Sequence, residues 1–178
     1  AWNVPTIAVK LNSQDRMAAL EARPEMRYVS PAMRQWFRDS RTFGASSDTT
    51  QYEANLKAVL KCLNKGGANL MLGVDSGFRY ALPGFSIHDE LRFTAESGLT
   101  PFQALRMATV EPARFLNRLD EMGTVEEGKI ADLVLLEANP LEDVANARRR
   151  AGVALAGLWL EEASLRERLG QIAWTYGN

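Results

Sequence analysis

The sequence is poor in the side chains that hold metals and disulfides, with one histidine, His88, and one cysteine, Cys62. A single cysteine excludes an internal disulfide framework and fits a reducing compartment. Zinc sites use about three or four protein ligands, so a chain with one histidine has no histidine-rich ligand set of its own.

The sequence also lacks an excess of either charge, since it has 21 basic and 22 acidic residues. Without a basic stripe we expect no nucleic-acid surface. The apolar runs are far shorter than the roughly 20 residues of a membrane-spanning helix, so we expect no membrane contact. With 178 residues and 46% hydrophobic content, the chain is long enough to bury an ordinary core.

The N-terminal stretch AWNVPTIAVK has neither an initiator methionine nor a signal-peptide pattern. Residues Val4 to Val9 have the composition of a strand, with Pro5 tolerated near its start. A chain that opens inside a strand is typical of a fragment. We therefore expect a longer parent protein, cytoplasmic in location, and leave open an export signal upstream.

Hydrophobic periodicity predicts the central elements. Residues 12–50 combine prolines and aromatic residues without a regular period, which indicates an active-site loop with short helices. An amphipathic helix is predicted from Tyr52 to Leu63, before the glycine stop at 66–67. The apolar run 70–74 is typical of a buried parallel strand.

Two further helices have recognisable N-terminal signals. Ser86 with Asp89 has the spacing of a capping box, and the T-P-x-Q pattern at 100–103 is a second one. We expect the second helix to continue to about Leu116. Later apolar runs predict antiparallel strands of a small separate sheet, followed by an amphipathic helix at 161–175.

The predicted strand 70–74 ends on a carboxylate, Asp75, followed by the small turn residues Ser76 and Gly77. The order helix, strand, aspartate, turn, helix is typical of a β/α barrel or another α/β fold, in which the carboxyl ends of the strands carry the chemistry. Asp75 in that position could bind a metal or act as a general base. The alternative is an aspartate that only caps the turn.

Several motifs follow the strand in a fixed order. The motifs are G-x-D-S/A-G at 73–77, G-L-T-P-x-x-A-L-x-x-A-T at 98–109, P-A-R-x-L at 112–116 and G-T/S-x-E-x-G-K-x-A-D-L-V-L-L at 123–136. Together they resemble the C-terminal half of the amidohydrolase superfamily, in the branch that holds imidazolonepropionases and prolidase-like metallo-dipeptidases. The resemblance covers residues 2–160 and is most specific from 70 to 144.

The resemblance implies an α/β fold, the C-terminal part of a (β/α)8 TIM-like barrel with strands of a flanking small β-sandwich. Residues 1–118 would form the C-terminal portion of the barrel, with strands seven and eight and their helices. Residues 119–160 would form strands of the β-sandwich, and residues 161–178 a terminal helix.

The resemblance also assigns Asp75 a role. In the family, the aspartate that ends strand eight contacts a divalent metal, takes a proton from the attacking hydroxide and passes it to the leaving nitrogen. We expect one or two metal ions, zinc by preference, in the full-length enzyme. The family's other ligands, an H-x-H pair, a lysine or glutamate and single histidines, lie on earlier strands, so we expect this chain to be inactive alone.

The implied reaction is hydrolysis of a carbon–nitrogen bond in a small-molecule or dipeptide substrate, including X-Pro dipeptides and cyclic amides. Deamination by the same proton transfer is an alternative. A second alternative is a non-catalytic remnant that binds a partner through an open barrel edge. A homo-oligomer of the full-length protein is compatible with all of these.

Substrate contacts are predicted at His88, Tyr28, Ser76 and Gly77. His88 would lie in the first turn of the helix after strand eight, where it could orient substrate or support the Asp75 turn. Tyr28 belongs, with Arg27 and Trp36, to the segment after strand seven, where the superfamily often places substrate-binding residues. For these side chains the alternative is a purely structural contact with nearby backbone or the barrel surface.

Overall fold

The computed structural model describes residues 1–11, 17–39 and 49–177. They form helices around a two-stranded parallel pair, followed by a three-stranded antiparallel sheet and a terminal helix. The elements in chain order are β1 (Trp2–Asn3), α1 (Ile7–Leu11), α2 (Met17–Glu21), a 3-10 helix (Pro24–Tyr28), α3 (Pro31–Asp39), α4 (Thr49–Lys65), β2 (Asn69–Leu70), α5 (Ser86–Glu96), α6 (Pro101–Ala108), α7 (Val110–Phe115), β3 (Leu133–Leu136), a second 3-10 helix (Val144–Arg148), β4 (Arg150–Leu155), β5 (Leu158–Glu161) and α8 (Glu162–Gly177).

The predicted strand over Val4 to Val9 is wrong, because the strand β1 ends at Asn3 and residues 7–11 form the helix α1. Pro5 has no N–H to donate to a sheet, and Thr6 turns the chain with a φ of 49°. The backbone N–H groups that follow then bond to a side chain instead of a strand. The apolar run is buried, but as a helix.

The strand predicted at 70–74 is shorter than expected. β2 pairs in parallel with β1, with Trp2 opposite Asn69 and Asn3 opposite Leu70. Beyond β2, Met71 N–H donates to the Asn3 carbonyl, and Leu72 N–H donates to the carbonyl of Met107 on α6. Strand pairing therefore ends where β1 ends, and residues 71–74 lead on to Asp75 outside any regular element.

The helix predicted over residues 52–63 is confirmed as α4. The capping box at 100–103 is confirmed too, since Gln103 N–H donates to Thr100 Oγ1 and Thr100 N–H donates to Gln103 Oε1. The helix that follows does not run unbroken to Leu116. It is divided into α6 and α7 at Thr109, whose φ and ψ are −130° and −71°.

The helix α5 begins at Ser86 as predicted, but its capping box is absent. Ser86 Oγ instead accepts the N–H of Leu82. Asp89 pairs with Arg23 at 2.9 Å and with Arg148 at 3.0 Å. Asp89 therefore forms ion pairs with distant residues and does not cap its own helix.

The predicted small antiparallel sheet is present, with β4 in the middle between β3 and β5. The predicted terminal helix is present as α8, which packs against β4, β5 and the 3-10 helix at Pro24–Tyr28. None of the helices in the described ranges is long and apolar enough to cross a bilayer. The boundaries at 118 and 160 stay predictions.

Candidate functional site

Asp75 lies just beyond the carboxyl end of the parallel pair, exposed to solvent, with a φ of 52°. The approach to it passes a glycine. A Cβ added at Gly73 would lie 2.5 Å from Cγ1 of Val4, so a larger residue would force the Val4 side chain to move. The G-x-D pattern therefore combines a close contact with the segment after β1 and a carboxylate two residues later.

The turn after Asp75 is held in an unusual conformation. Gly77, Arg79 and Tyr80 have φ values of 91°, 47° and 60°. For residues other than glycine, such left-handed conformations cost on the order of 1–3 kcal/mol each and persist only where the surroundings enforce them. Within the turn, Gly77 N–H donates to the Ala81 carbonyl and Ala81 N–H to the Phe78 carbonyl.

The helices α2 and α3 supply further contacts to this turn. The Trp36 indole N–H donates to the Gly77 carbonyl at 3.0 Å. The Tyr80 hydroxyl donates to Glu21 Oε1 at 2.7 Å, and the Tyr80 ring packs on Phe37 with centroids 5.0 Å apart. The segment after β1 therefore contacts the turn after β2 at two places, Gly77 and Tyr80.

Tyr28 lies elsewhere on the same segment. Its ring stacks on Phe85, with centroids 5.3 Å apart and an interplanar angle of 4°. Its hydroxyl accepts a hydrogen bond from Arg27. This stacking places Tyr28 on the turn that leads into α5, and its role in substrate binding stays a prediction.

His88 is half-buried in the first turn of α5, and its Nδ1 is buried without a hydrogen-bond partner. Burial, followed by the positive charges of Arg148 and Arg150, lowers the pKa of His88 to about 4 against the opposing effect of Asp89. The imidazole is therefore neutral near pH 7. In the described part of the chain, no hydrogen bond or ion pair links His88 to Asp75.

The described residues contain no group of three or more histidine, cysteine, aspartate or glutamate side chains close enough to hold a metal ion. Asp75 is a single candidate ligand in an exposed turn. These side chains by themselves do not fit a complete divalent-metal site, because such a site needs about three or four protein ligands.

Sequence analysis missed one buried carboxylate, Glu90 on α5. Its oxygens accept the N–H of Ile7 at 2.9 Å and of Ala8 at 2.7 Å. Burial raises the pKa of Glu90, although both N–H bonds lower it. A signal was present in the sequence: Glu90 lies three residues after Ile87 and directly before Leu91, on the apolar face of the predicted helix.

The sequence model of the amidohydrolase family matches residues 16–158, which is most of the chain. An ochratoxinase of Aspergillus niger is 35% identical over 94 residues, or 52% of this chain and 18% of the relative. A 5-methylthioadenosine/S-adenosylhomocysteine deaminase of Caldanaerobacter subterraneus subsp. tengcongensis is 31% identical over 150 residues, or 78% of this chain and 30% of the relative. The chain thus spans less than a third of either relative.

The crystal structure of a putative prolidase from Bifidobacterium longum superposes with a TM-score of 0.61 at 22% identity. The match covers 98% of this chain and 40% of the prolidase. This likeness confirms the predicted fold class, an α/β chain that forms part of an amidohydrolase barrel.

Proposed function

Because the chain belongs to the amidohydrolase family, we propose that it forms the C-terminal part of an enzyme that hydrolyses carbon–nitrogen bonds, with Asp75 as the group that transfers protons. The observation that carries this proposal is the position of Asp75, exposed at the carboxyl end of the parallel pair in a turn that other helices hold.

The proton balance of the proposed step is simple. The Asp75 carboxylate accepts a proton from the attacking water as the oxygen adds to the carbonyl carbon. The same proton then moves to the nitrogen as the carbon–nitrogen bond breaks, which leaves a carboxylic acid and an amine. An exposed carboxylate at the strand end can exchange this proton with both partners if the substrate lies over the turn.

The proposal includes a divalent metal, preferably zinc, because the family uses one. Asp75 alone among the predicted site residues could contact it, and the described residues do not complete its ligand set. The proposal therefore requires ligands from outside the described part of the chain, as the resemblance implies.

The proposed substrates are dipeptides, X-Pro dipeptides or cyclic amides. A second candidate is deamination, which is favoured by the deaminase relative that matches 78% of this chain. The two reactions differ in their products. Amide hydrolysis of a dipeptide releases two amino acids, whereas deamination of a purine releases ammonia and leaves the ring intact.

The test is the variant Asp75→Asn in the complete enzyme that carries these residues. It removes the proton acceptor with little change in volume, and we expect kcat to fall by about 10²–10⁴-fold. The matched control is Asp120→Asn, which changes an exposed aspartate after α7 and should leave kcat unaltered. Each protein is assayed on X-Pro dipeptides, cyclic amides and 5-methylthioadenosine.

The substrate panel separates the candidates. Turnover of a dipeptide or cyclic amide, lost in Asp75→Asn alone, supports amide hydrolysis. Ammonia release from 5-methylthioadenosine with the same pattern supports the deaminase. If Asp75→Asn kept more than about a tenth of the wild-type kcat, the role of Asp75 would be wrong. A wild-type enzyme that turns over nothing favours the non-catalytic alternative.

A further inference from the structure

The turn that carries Asp75 does not have a conformation that its own residues prefer. Asp75, Arg79 and Tyr80 all have φ between 47° and 60°, a region that non-glycine residues rarely occupy. The bonds inside the turn join Gly77 to Ala81 and Ala81 to Phe78. Contacts from other elements must therefore help to select this conformation over more ordinary ones.

Trp36 provides one of these contacts, at Gly77, two residues after Asp75. Its indole is 54% exposed, so burial explains little of its placement. Its N–H, however, donates to the carbonyl of Gly77 at 3.0 Å across 41 positions of sequence. A tryptophan N–H can only donate a hydrogen bond. This bond restrains both the indole ring of Trp36 and the carbonyl of Gly77.

The helix that carries Trp36 is itself well anchored. The neighbouring residue Phe37 is 1% exposed and packs on Tyr80. Tyr80 in turn donates to Glu21, which also accepts from Arg38 Nε at 3.0 Å. The two ends of the turn are thus tied to the same helix, Gly77 through Trp36 and Tyr80 through Phe37.

We propose that Trp36 is a positioning residue for Asp75, a role that rests on the proposed function. Its indole N–H holds the Gly77 carbonyl, and through the peptide bonds of Ser76 it sets the direction of the Asp75 carboxylate. Misplacement of a catalytic group by about 1 Å can cost 100-fold in rate. The effect on substrate affinity is small, because Trp36 acts on the orientation of the carboxylate.

The kinetic test uses Trp36→Phe in the complete enzyme, which removes the N–H and keeps an aromatic ring. The matched control is Trp174→Phe on α8, where the ring is also exposed. We expect kcat to fall about 10- to 100-fold in Trp36→Phe with KM within about twofold, and no change in the control. An unchanged kcat, or a rise in KM alone, would overturn the positioning role.

Asp75→Asn, measured beside these variants, separates this inference from the proposed function. If Asp75→Asn loses turnover while Trp36→Phe keeps it, only the role of Trp36 is wrong. If Asp75→Asn keeps its turnover, the proposed function is wrong, and Trp36 then has no catalytic carboxylate to position.

A second measurement on the complete enzyme does not depend on activity. In protein labelled with ¹⁵N-tryptophan, the indole N–H of Trp36 should exchange with solvent more slowly than that of Trp174, because only Trp36 donates to a backbone carbonyl in the described structure. Amide exchange at Gly77 and Ala81 should speed up in Trp36→Phe and stay constant in Trp174→Phe. Equal exchange of the two indoles, or no change at Gly77 and Ala81, would show that Trp36 does not hold the turn.

Discussion

Replacement of Glu90 with alanine tests how the chain is held where it leaves β1. Glu90 accepts the N–H groups of Ile7 and Ala8, and all three residues are buried. Alanine leaves both donors without an acceptor in the core, at a cost of about 1–3 kcal/mol each. Removal of a buried carboxylate offsets part of that cost. We therefore expect the free energy of unfolding to fall by about 2–3 kcal/mol.

Urea unfolding followed by far-UV circular dichroism measures this difference, and amide exchange shows where it arises. Exchange at Ile7 and Ala8 should become faster in Glu90→Ala. The control Glu127→Ala removes an exposed carboxylate and should change the free energy of unfolding by less than about 0.5 kcal/mol. If Glu90→Ala behaved like this control in both measurements, Glu90 would not anchor the start of α1.

The raised pKa of Glu90 also predicts how the stability of the fold changes with pH. Burial raises the pKa of Glu90 above its ordinary value of 4.5, so the folded chain holds the Glu90 proton more tightly than the unfolded chain. The stability from this group is complete below pH 4.5 and is lost as the pH rises through the raised folded pKa. Glu90→Gln cannot titrate, so the stability of wild type relative to this variant should fall as the pH rises from 4.5 through the raised folded pKa of Glu90. A relative stability that rises over this window would refute the argument.

The remaining predictions concern first the isolated chain and then two variants of the complete enzyme. For the isolated chain, titration calorimetry should show that zinc binding is weak or absent, and no amidase or peptidase activity should be detected. Size-exclusion chromatography of the same chain should show little monomer. Stoichiometric zinc binding by a stable monomer would contradict this prediction. Thr100→Ala should lower the free energy of unfolding by about 1 kcal/mol in urea melts, because it removes one arm of the capping box, and an unaltered midpoint would argue against that arm. Folding lowers the pKa of His88 from 6.5 to about 4, so the stability that His88 contributes should be lost as the pH falls through this window. His88→Gln should remove this part of the pH dependence of stability. An unchanged pH dependence in the variant would contradict the prediction.

Local sequence determined the elements whose signals are contained in a few neighbouring residues. The capping box at Thr100 and Gln103 closes within one helical turn, so the pattern was sufficient to locate the start of α6. The apolar face of α4 repeats along the helix itself. The motifs around Asp75 were specific enough to indicate the family and the fold class, because they combine residue types with a fixed order along the chain.

Long-range contacts decided what the local pattern misread. Residues 7–11 are apolar enough for a strand, but Glu90, 83 positions away from Ile7, accepts the N–H groups that begin a helix. Asp89 could have capped its own helix and instead pairs with Arg23 and Arg148. The low pKa of His88 is caused first by burial and then by Arg148 and Arg150, which lie far from it in the sequence.

The site divides in the same way. The identity of Asp75 and its place after an apolar run were readable in the sequence, and Gly73 is explained by a contact with Val4 that only the fold shows. The conformation of the turn depends on Trp36 and Tyr80, whose partners Gly77 and Glu21 are 41 and 59 positions away. A periodic pattern reports which face of an element is buried, but a hydrogen bond across such a separation exists only once tertiary packing has brought its two ends together.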